Sequence, residues 1–414
     1  MLDYLKKKFY QNIPPHLQQQ IKSSILHVWS RMSPCIPVYR IESSTLTVTF
    51  IGRSSCDPYL ISLLYGECLD CKKIAITATW NINKTILYWE KNSDLIVFRD
   101  RGFQPSGALV DSLFNIPYYV TQTANIPPKD SDLLPAFRDP STVSDIHKIQ
   151  KAGFEYHISS DPAQLEHFYQ WLYKPFILSR HRDSARIPSW PSFKRIHENM
   201  ELLLLSKEGQ LVAGALNLQT DDCYTGYANG VLNADRKLIK DGVVAAIYWF
   251  GIVEAHRRGC RTVNLGTSRP FLKNGVLAYK KKWGGHVVTD DNEPEFRVLT
   301  CGNQLAAQRF FETTPFISQY NNKLTSLIFL GEHTVLNDRE LSSYLRASLF
   351  QGDQLSTWVV LLNTEWVARM ETIQSILPRA TQSVQIIDLS AASLRELPAL
   401  IHKSQATANS VALM

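Results

Sequence analysis

Apolar residues along this chain change period several times, and each change marks an element. Leu2, Leu5 and Phe9, then Leu17, Ile21, Ile25, Val28 and Trp29 beyond Pro14 and Pro15, recur at near-helical spacing among basic residues and predict an amphipathic segment over residues 1–35. From Ile36 the alternation in RIESSTLTVTF, KKIAITATW and KTILYWE is that of half-buried strands. A helix over Pro58–Cys68 separates the first two, and short strands follow at Asp94–Phe98 and Ile116–Val120. These elements predict one mixed α/β domain over residues 36–140.

The connector NIPPKDSDLLPAFRDPSTVSD breaks the periodicity, and Thr142 or Ser144 is placed to cap a helix running to Ala152. The next domain, residues 141–329, opens with the strand FEYHIS and a helix started by Asp161 and Pro162, with Leu165, Phe168, Leu172 and Phe176 on its buried stripe. A second helical stretch spans Phe193–Asn199; MELLLLS and LVAGALNLQ then form a hairpin about Lys207–Gln210, and CYTGYANGV adds a third strand. Val243–Arg258 is a long apolar helix stopped by Gly259, and RTVNLG is the strand that follows. Short strands at His286–Asp290 and Glu295–Leu299 follow. From residue 330 the rhythm is strand then helix, repeated through WVVLLN and VQIIDLS, which predicts a small parallel α/β appendage ending in a mobile tail, SQATANSVALM. It lacks a Gly-rich phosphate loop, so a partner protein suits it better than a nucleotide. The fold class is therefore α/β with mixed sheets.

Composition narrows the setting. No window reaches the roughly 18 apolar residues of a membrane span, and the basic N-terminus lacks the apolar core of a signal peptide, so the expectation is a cytoplasmic chain with at most peripheral membrane contact. Seven scattered cysteines predict buried thiols; the Cys68–Cys71 pair has no second ligand pair for a metal, leaving a redox pair as its other reading. A net charge of +6 favours anionic partners, among them CoA, tRNA, nucleotide-linked sugars and membrane surfaces.

Candidate chemistry concentrates in Val263–Gly285, VNLGTSRPFLKNGVLAYKKKWGG. A strand ends at Gly266, where a glycine admits close approach; Arg269 and the lysines could hold phosphate or carboxylate, and Asn264 and Ser268 stand beside them. A solvated basic helix is the other reading of the same spacing. The segment SRHRDSARIPSWP, carrying Arg180, His181 and Arg182, is placed as an acceptor-side lid or a basic loop. For a general base the chain offers Asp222, Glu254, His256, Asp290, Glu293 and Glu295, with no diagnostic spacing among them.

The order of elements over residues 154–329 resembles the GNAT acyltransferase fold, and NLGTSRPFLKNGVLAYKKKWGG resembles the strand, loop and aromatic-Lys-Lys-x-Trp-Gly segment of its FemAB-like branch. HKIQKAGFEYHI is similar to the junction between the two units of such proteins. The resemblance implies tandem GNAT-like units, the first degenerate. It further implies backbone N–H groups near Ala228, Asn229 and Gly230 facing an acyl carbonyl, Tyr279 as the acid for the leaving group, and Lys280 and Lys281 near a donor or acceptor phosphate. Tyr279 as a core aromatic is the alternative. Where GNAT enzymes carry a glycine-rich pyrophosphate turn, this chain reads NADRKLIKDGVV, offering Lys240 and Gly242 with one glycine. The implied activity is transfer of an acyl or aminoacyl group, from acyl-CoA or aminoacyl-tRNA as co-substrate, to an amine or hydroxyl of a sugar, amino acid or peptide, as in polysaccharide or envelope metabolism. No bound cofactor or metal is implied. The alternative function is a noncatalytic GNAT pair that serves as a binding or assembly module.

Overall fold

The structure, a computed structural model, describes residues 35–411 apart from 53–57, 66–70, 100–106, 138, 182–184, 186, 198, 289–294, 303, 321–322, 353–354 and 378–383. The amphipathic segment before residue 35 lies outside the described residues, as do Arg182, Asp290 and Glu293. Mixed α/β architecture is observed throughout, and the chain divides into two compact units.

The first unit takes residues 1–116, 294–311 and 391–414. Its strands are β1 (Cys35–Glu42), β2 (Thr47–Gly52), β3 (Lys72–Ala78), β4 (Leu95–Arg99), β5 (Leu113–Pro117) and, from far along the chain, β13 (Glu295–Thr300), in the order β3-β1-β2-β4-β13-β5. Helix α1 is Pro58–Tyr65 and α2 is Ile82–Glu90. The sequence reading of KTILYWE as a strand is corrected by α2: Ile82 and Ile86, four apart, are both buried, while Leu87 and Tyr88 face out. Alternation would have put Ile86 and Tyr88 on one face.

The second unit takes residues 117–293 and 312–390. Helix α3 (Pro140–Ala152) starts one turn earlier than expected, because Asp139, not Thr142 or Ser144, accepts from the Ser141 and Thr142 N–H groups with Pro140 at the first helical position. β7 (Phe154–Ser159) leads into α4 (Pro162–His167), a π-helical turn over Phe168–Tyr173, and α5 (Lys174–His181). The π turn sits just before Pro175, whose missing N–H cannot join a regular ladder. Helix α6 (Trp190–His197) precedes β8 (Glu201–Lys207) and β9 (Gln210–Thr220), joined through Glu208 and Gly209 at φ 55° and 75°. β10 (Cys223–Val231), α7 (Arg236–Lys240), α8 (Val243–Arg258), β11 (Thr262–Ser268), α9 (Gly275–Lys282) and β12 (His286–Val288) complete the layer. With β6 (Val120–Asn125) they form a sheet ordered β12-β6-β11-β10-β9-β8-β7.

Beyond α10 (Gln304–Thr313), a four-stranded sheet runs β14 (Phe316–Tyr320), β15 (Lys323–Leu330), β16 (Leu355–Leu361) and β17 (Val384–Asp388), the last three parallel as expected. The intervening helices are α11 (Asp338–Ser348), α12 (Thr364–Ala368) and α13 (Met370–Ile376). This layer is no separable appendage. Leu272, Leu277 and Val287 share one core with Ile317, Ile328, Leu341 and Val359, and Phe271 bridges to Phe316. The units are thus discontinuous, unlike the consecutive domains read from the breaks in periodicity: β6 and β13 each join a sheet built mainly from the other half of the sequence. Helix α14 (Leu397–Val411) continues through most of the tail expected to be mobile. Cys71 is disulfide-bonded and Cys35 is an exposed free thiol, both departing from the buried-thiol reading, whereas Cys260 and Cys301 are buried free thiols.

Candidate active site

β10 is paired along its length with β9, but with β11 only through Cys223↔Thr262, Tyr224↔Val263 and Thr225↔Asn264. Past that point the two parallel strands part, so the β11-facing backbone groups of β10 have no sheet partner there among the described residues. The parting is written into both strands. β10 carries a bulge between Gly226 and Ala228, and β11 shifts register against β6 between Asn264 and Thr267. Within that shift Asn264 Oδ1 accepts from the Gly266 N–H at 2.8 Å, and Gly266 adopts φ 81°, the left-handed region where a side chain is strained. A Cβ on Gly266 would lie 3.5 Å from the Gly226 carbonyl oxygen and 3.6 Å from Lys280 Nζ.

Helix α9 begins at Asn274, whose Oδ1 accepts from the Val276 and Leu277 N–H groups at 3.0 and 3.1 Å. Its consecutive lysines are rotated about 100° from one another and meet three environments. Lys280 is 4% exposed and donates to the Thr267 carbonyl at 2.7 Å, beside Gly266 where the strands part. With no carboxylate beside it among the described residues, burial pulls its pKa down to about 7. Lys281 donates to the Arg346 and Ala347 carbonyls at 3.1 and 2.9 Å, capping the end of α11 over the Phe350 ring. Lys282 pairs with Asp145 and lies 4.5 Å from the Tyr279 ring centre.

Tyr279 points to α8. Its ring meets Tyr248 edge-on at 5.3 Å, and Trp283, fully buried, stacks on the same Tyr248 at 6.2 Å and meets Phe137 at 6.1 Å. Burial pushes the Tyr279 phenol well above its ordinary range and that of Tyr248 to about 12; the Arg180 guanidinium works against both shifts. Both phenols hold their protons at neutral pH. Arg180 itself is exposed at the end of α5, 4.4 Å from the Phe176 ring centre.

Other expected site residues are placed elsewhere. Ser268 is buried and donates to Gln122 Oε1 at 3.0 Å, while Gln122 donates to the Leu277 carbonyl at 3.1 Å, so Ser268 holds β11 to β6 and is closed to a ligand. Arg269 stacks over Tyr118 and Tyr119 at 4.0 and 4.8 Å and donates to the Tyr118 hydroxyl. A Cβ on Gly230 would fall 2.6 Å from the Leu172 carbonyl carbon, so this glycine is used for close packing of β10 on the π turn. Ala228 and Asn229 are half-buried on β10 opposite Leu216 and Ala215. Lys240 is exposed on α7, and Gly242, at φ 96°, caps α8 with open space where a Cβ would be. The His181 side chain lies outside the described residues.

Sequence reasoning missed Tyr248, Gln122 and Gly226. Only Gly226 carried a signal, a glycine in the interior of a strand, where bulges and close backbone approaches occur.

Residues 144–281 match the family model described as Acetyltransferase (GNAT) domain. They form a GNAT domain. The segment that forms the parted strands, α8 and Tyr279 to Lys281 all lies within it, and the chain is an enzyme of the acyltransferase type. Among solved structures, the C-terminal domain (DUF2156) of a protein named as a lysylphosphatidylglycerol synthetase from Agrobacterium fabrum aligns at 13% identity over 66% of this chain and 83% of that one, with a TM-score of 0.34. L-PGS from Bacillus licheniformis aligns at 11% identity over 67% and 84% with a TM-score of 0.33. FemX aligns at 13% identity over 62% and 83% with a TM-score of 0.34. Scores this low carry no argument about chemistry. No curated protein matches the chain.

The carboxylates of the GNAT domain that were candidates for a base are engaged in structure. Glu254 on α8 is 1% exposed and is held down to about 2 by hydrogen bonds from Arg257 first, then from Arg258 and Tyr156. Asp222 pairs with Arg261, and His256 Nε2 lies 3.0 Å from the Pro128 carbonyl oxygen. The Glu295 side chain lies outside the described residues.

Among the described residues, no helix is long and apolar enough to cross a membrane.

Proposed function

We propose that the GNAT domain, as a member of the FemAB-like branch, transfers an acyl or aminoacyl group from acyl-CoA or an aminoacyl-tRNA to an amine or hydroxyl of a sugar, amino acid or peptide. The observation that carries this reading is the parting of β10 and β11 with the buried Lys280 amine beside it. An extended donor chain can complete the ladder that β11 abandons after Asn264, which would place the scissile carbonyl against β10 N–H groups near Ala228 and Asn229.

In the proposed step the acceptor nitrogen or oxygen attacks the carbonyl carbon and its bond to the donor breaks. The acceptor's proton leaves to a base, and the departing thiolate or ribose oxygen takes a proton. Tyr279 retains its proton at neutral pH and is the donor to that leaving group. Lys280, with a pKa near 7, is divided between two forms: the charged form stabilises negative charge beside the carbonyl, and the neutral form can accept a proton. Gly242 and the first N–H groups of α8, with Lys240 nearby in sequence, are the proposed anchor for donor phosphate. Arg180 and Arg269 are the proposed acceptor contacts.

Mass spectrometry after incubating the purified protein with acyl-CoA mixtures, and separately with charged tRNA, tests the reading. Transfer to an added amine or amino-sugar acceptor supports it. Binding of neither donor overturns it and leaves the assembly-module reading in its place.

A further inference from the structure

A cavity of about 780 Å³ opens within the first unit, built from the end of α2, the end of β13 and the turn before α14. Its charged residues are Glu90, Lys91 and Arg395. Arg395 donates through one guanidinium nitrogen to Glu90, which leaves its other N–H groups for a ligand, and Lys91 is exposed with no carboxylate within ion-pair distance among the described residues. One carboxylate against two cations gives the cavity a net positive charge.

A further feature faces the same space. Gln304, the first residue of α10, also lines the cavity, so the positive end of that helix opens there. Its amide nitrogen donates to Ser393 Oγ at 2.8 Å, which leaves the amide oxygen and the Ser393 hydroxyl hydrogen available. The exposed Tyr88 ring forms an apolar wall.

The geometry points to a binding site for a small anionic ligand, its phosphate or carboxylate held by Arg395 and Lys91 and its body against Tyr88. The residues come from three distant stretches of sequence, and the Glu90–Arg395 and Gln304–Ser393 contacts fix the third wall to the other two. The site consists wholly of first-unit residues and does not depend on the transferase reading.

Calorimetric titration of the full chain with inorganic phosphate and, separately, with succinate tests the assignment. Saturable binding of either supports it, and the tighter of the two identifies the head group. Arg395→Gln is expected to weaken binding about tenfold and Lys91→Gln about fivefold. Lys91 takes no part in the Glu90 pair, so Lys91→Gln decides the matter even if Arg395→Gln disturbs folding. Absence of saturation by both anions, or wild-type affinity in Lys91→Gln, overturns the proposal.

Discussion

Lys280 offers a quantitative test, because a buried amine with a displaced pKa must tie stability to pH. Its ordinary pKa of 10.5 falls to about 7 in the folded chain. Between those values the unfolded chain carries the proton and the folded chain largely does not, so stability rises as pH increases through this window. Below pH 7 both states are charged and the penalty stays constant. Integrating the difference in bound protons from pH 7.5 to 9.5 gives a gain of about 2.5 kcal/mol. Lys280→Met keeps the length and apolar stem of the side chain while removing the titrating group. Urea unfolding of both proteins across this range, followed by tryptophan fluorescence, should show wild type gaining about 2.5 kcal/mol relative to the variant. All other ionisable groups are common to both chains and cancel in the comparison. Parallel stability curves would refute the assignment of a depressed pKa to Lys280. The same titration should appear in turnover as an inflection near pH 7, absent in the variant.

Tyr279→Phe retains the ring against Tyr248 and removes the proposed leaving-group proton; steady-state kinetics should show kcat reduced by roughly 10²-fold with KM little changed. A rise in KM alone would reduce Tyr279 to a packing residue. Lys281→Ala should lower stability by about 1 kcal/mol through loss of the α11 cap, read by chemical denaturation, and leave donor KM within twofold. A large rise in donor KM would restore Lys281 to the binding site. Gly266→Ala, forced into φ 81° beside Lys280, should cost about 1–2 kcal/mol and cut activity with it.

Much of the second unit was legible in the sequence because its signals are local. Asp161 before Pro162 starts α4, Gly259 at φ 75° stops α8, and the Lys207–Gln210 turn joins β8 to β9. Each depends on the backbone preferences of one to four residues. KTILYWE misled because apolar and β-branched content fits strand and helix alike, and only the partners available to Ile82 and Ile86 decide between them. The exchange of β6 and β13 between the sheets had no local signal at all, since strand pairing joins residues more than a hundred positions apart.

The sequence by itself determined where the chain turns, which faces are apolar, and that Val263–Gly285 gathers cations and aromatics beside a glycine. The tertiary structure alone decided what those cations do. Lys280, Lys281 and Lys282 are identical as letters, yet one lies at the parting of two strands, one caps a helix, and one pairs with Asp145. Gly230 and Gly266 were both expected in the site, but the space at Gly230 is filled by the π turn while Gly266 forms the bulge beside the buried amine. The reason is physical: a helix fixes the directions of its side chains, but the charge state and contacts of each depend on what the rest of the chain packs around it.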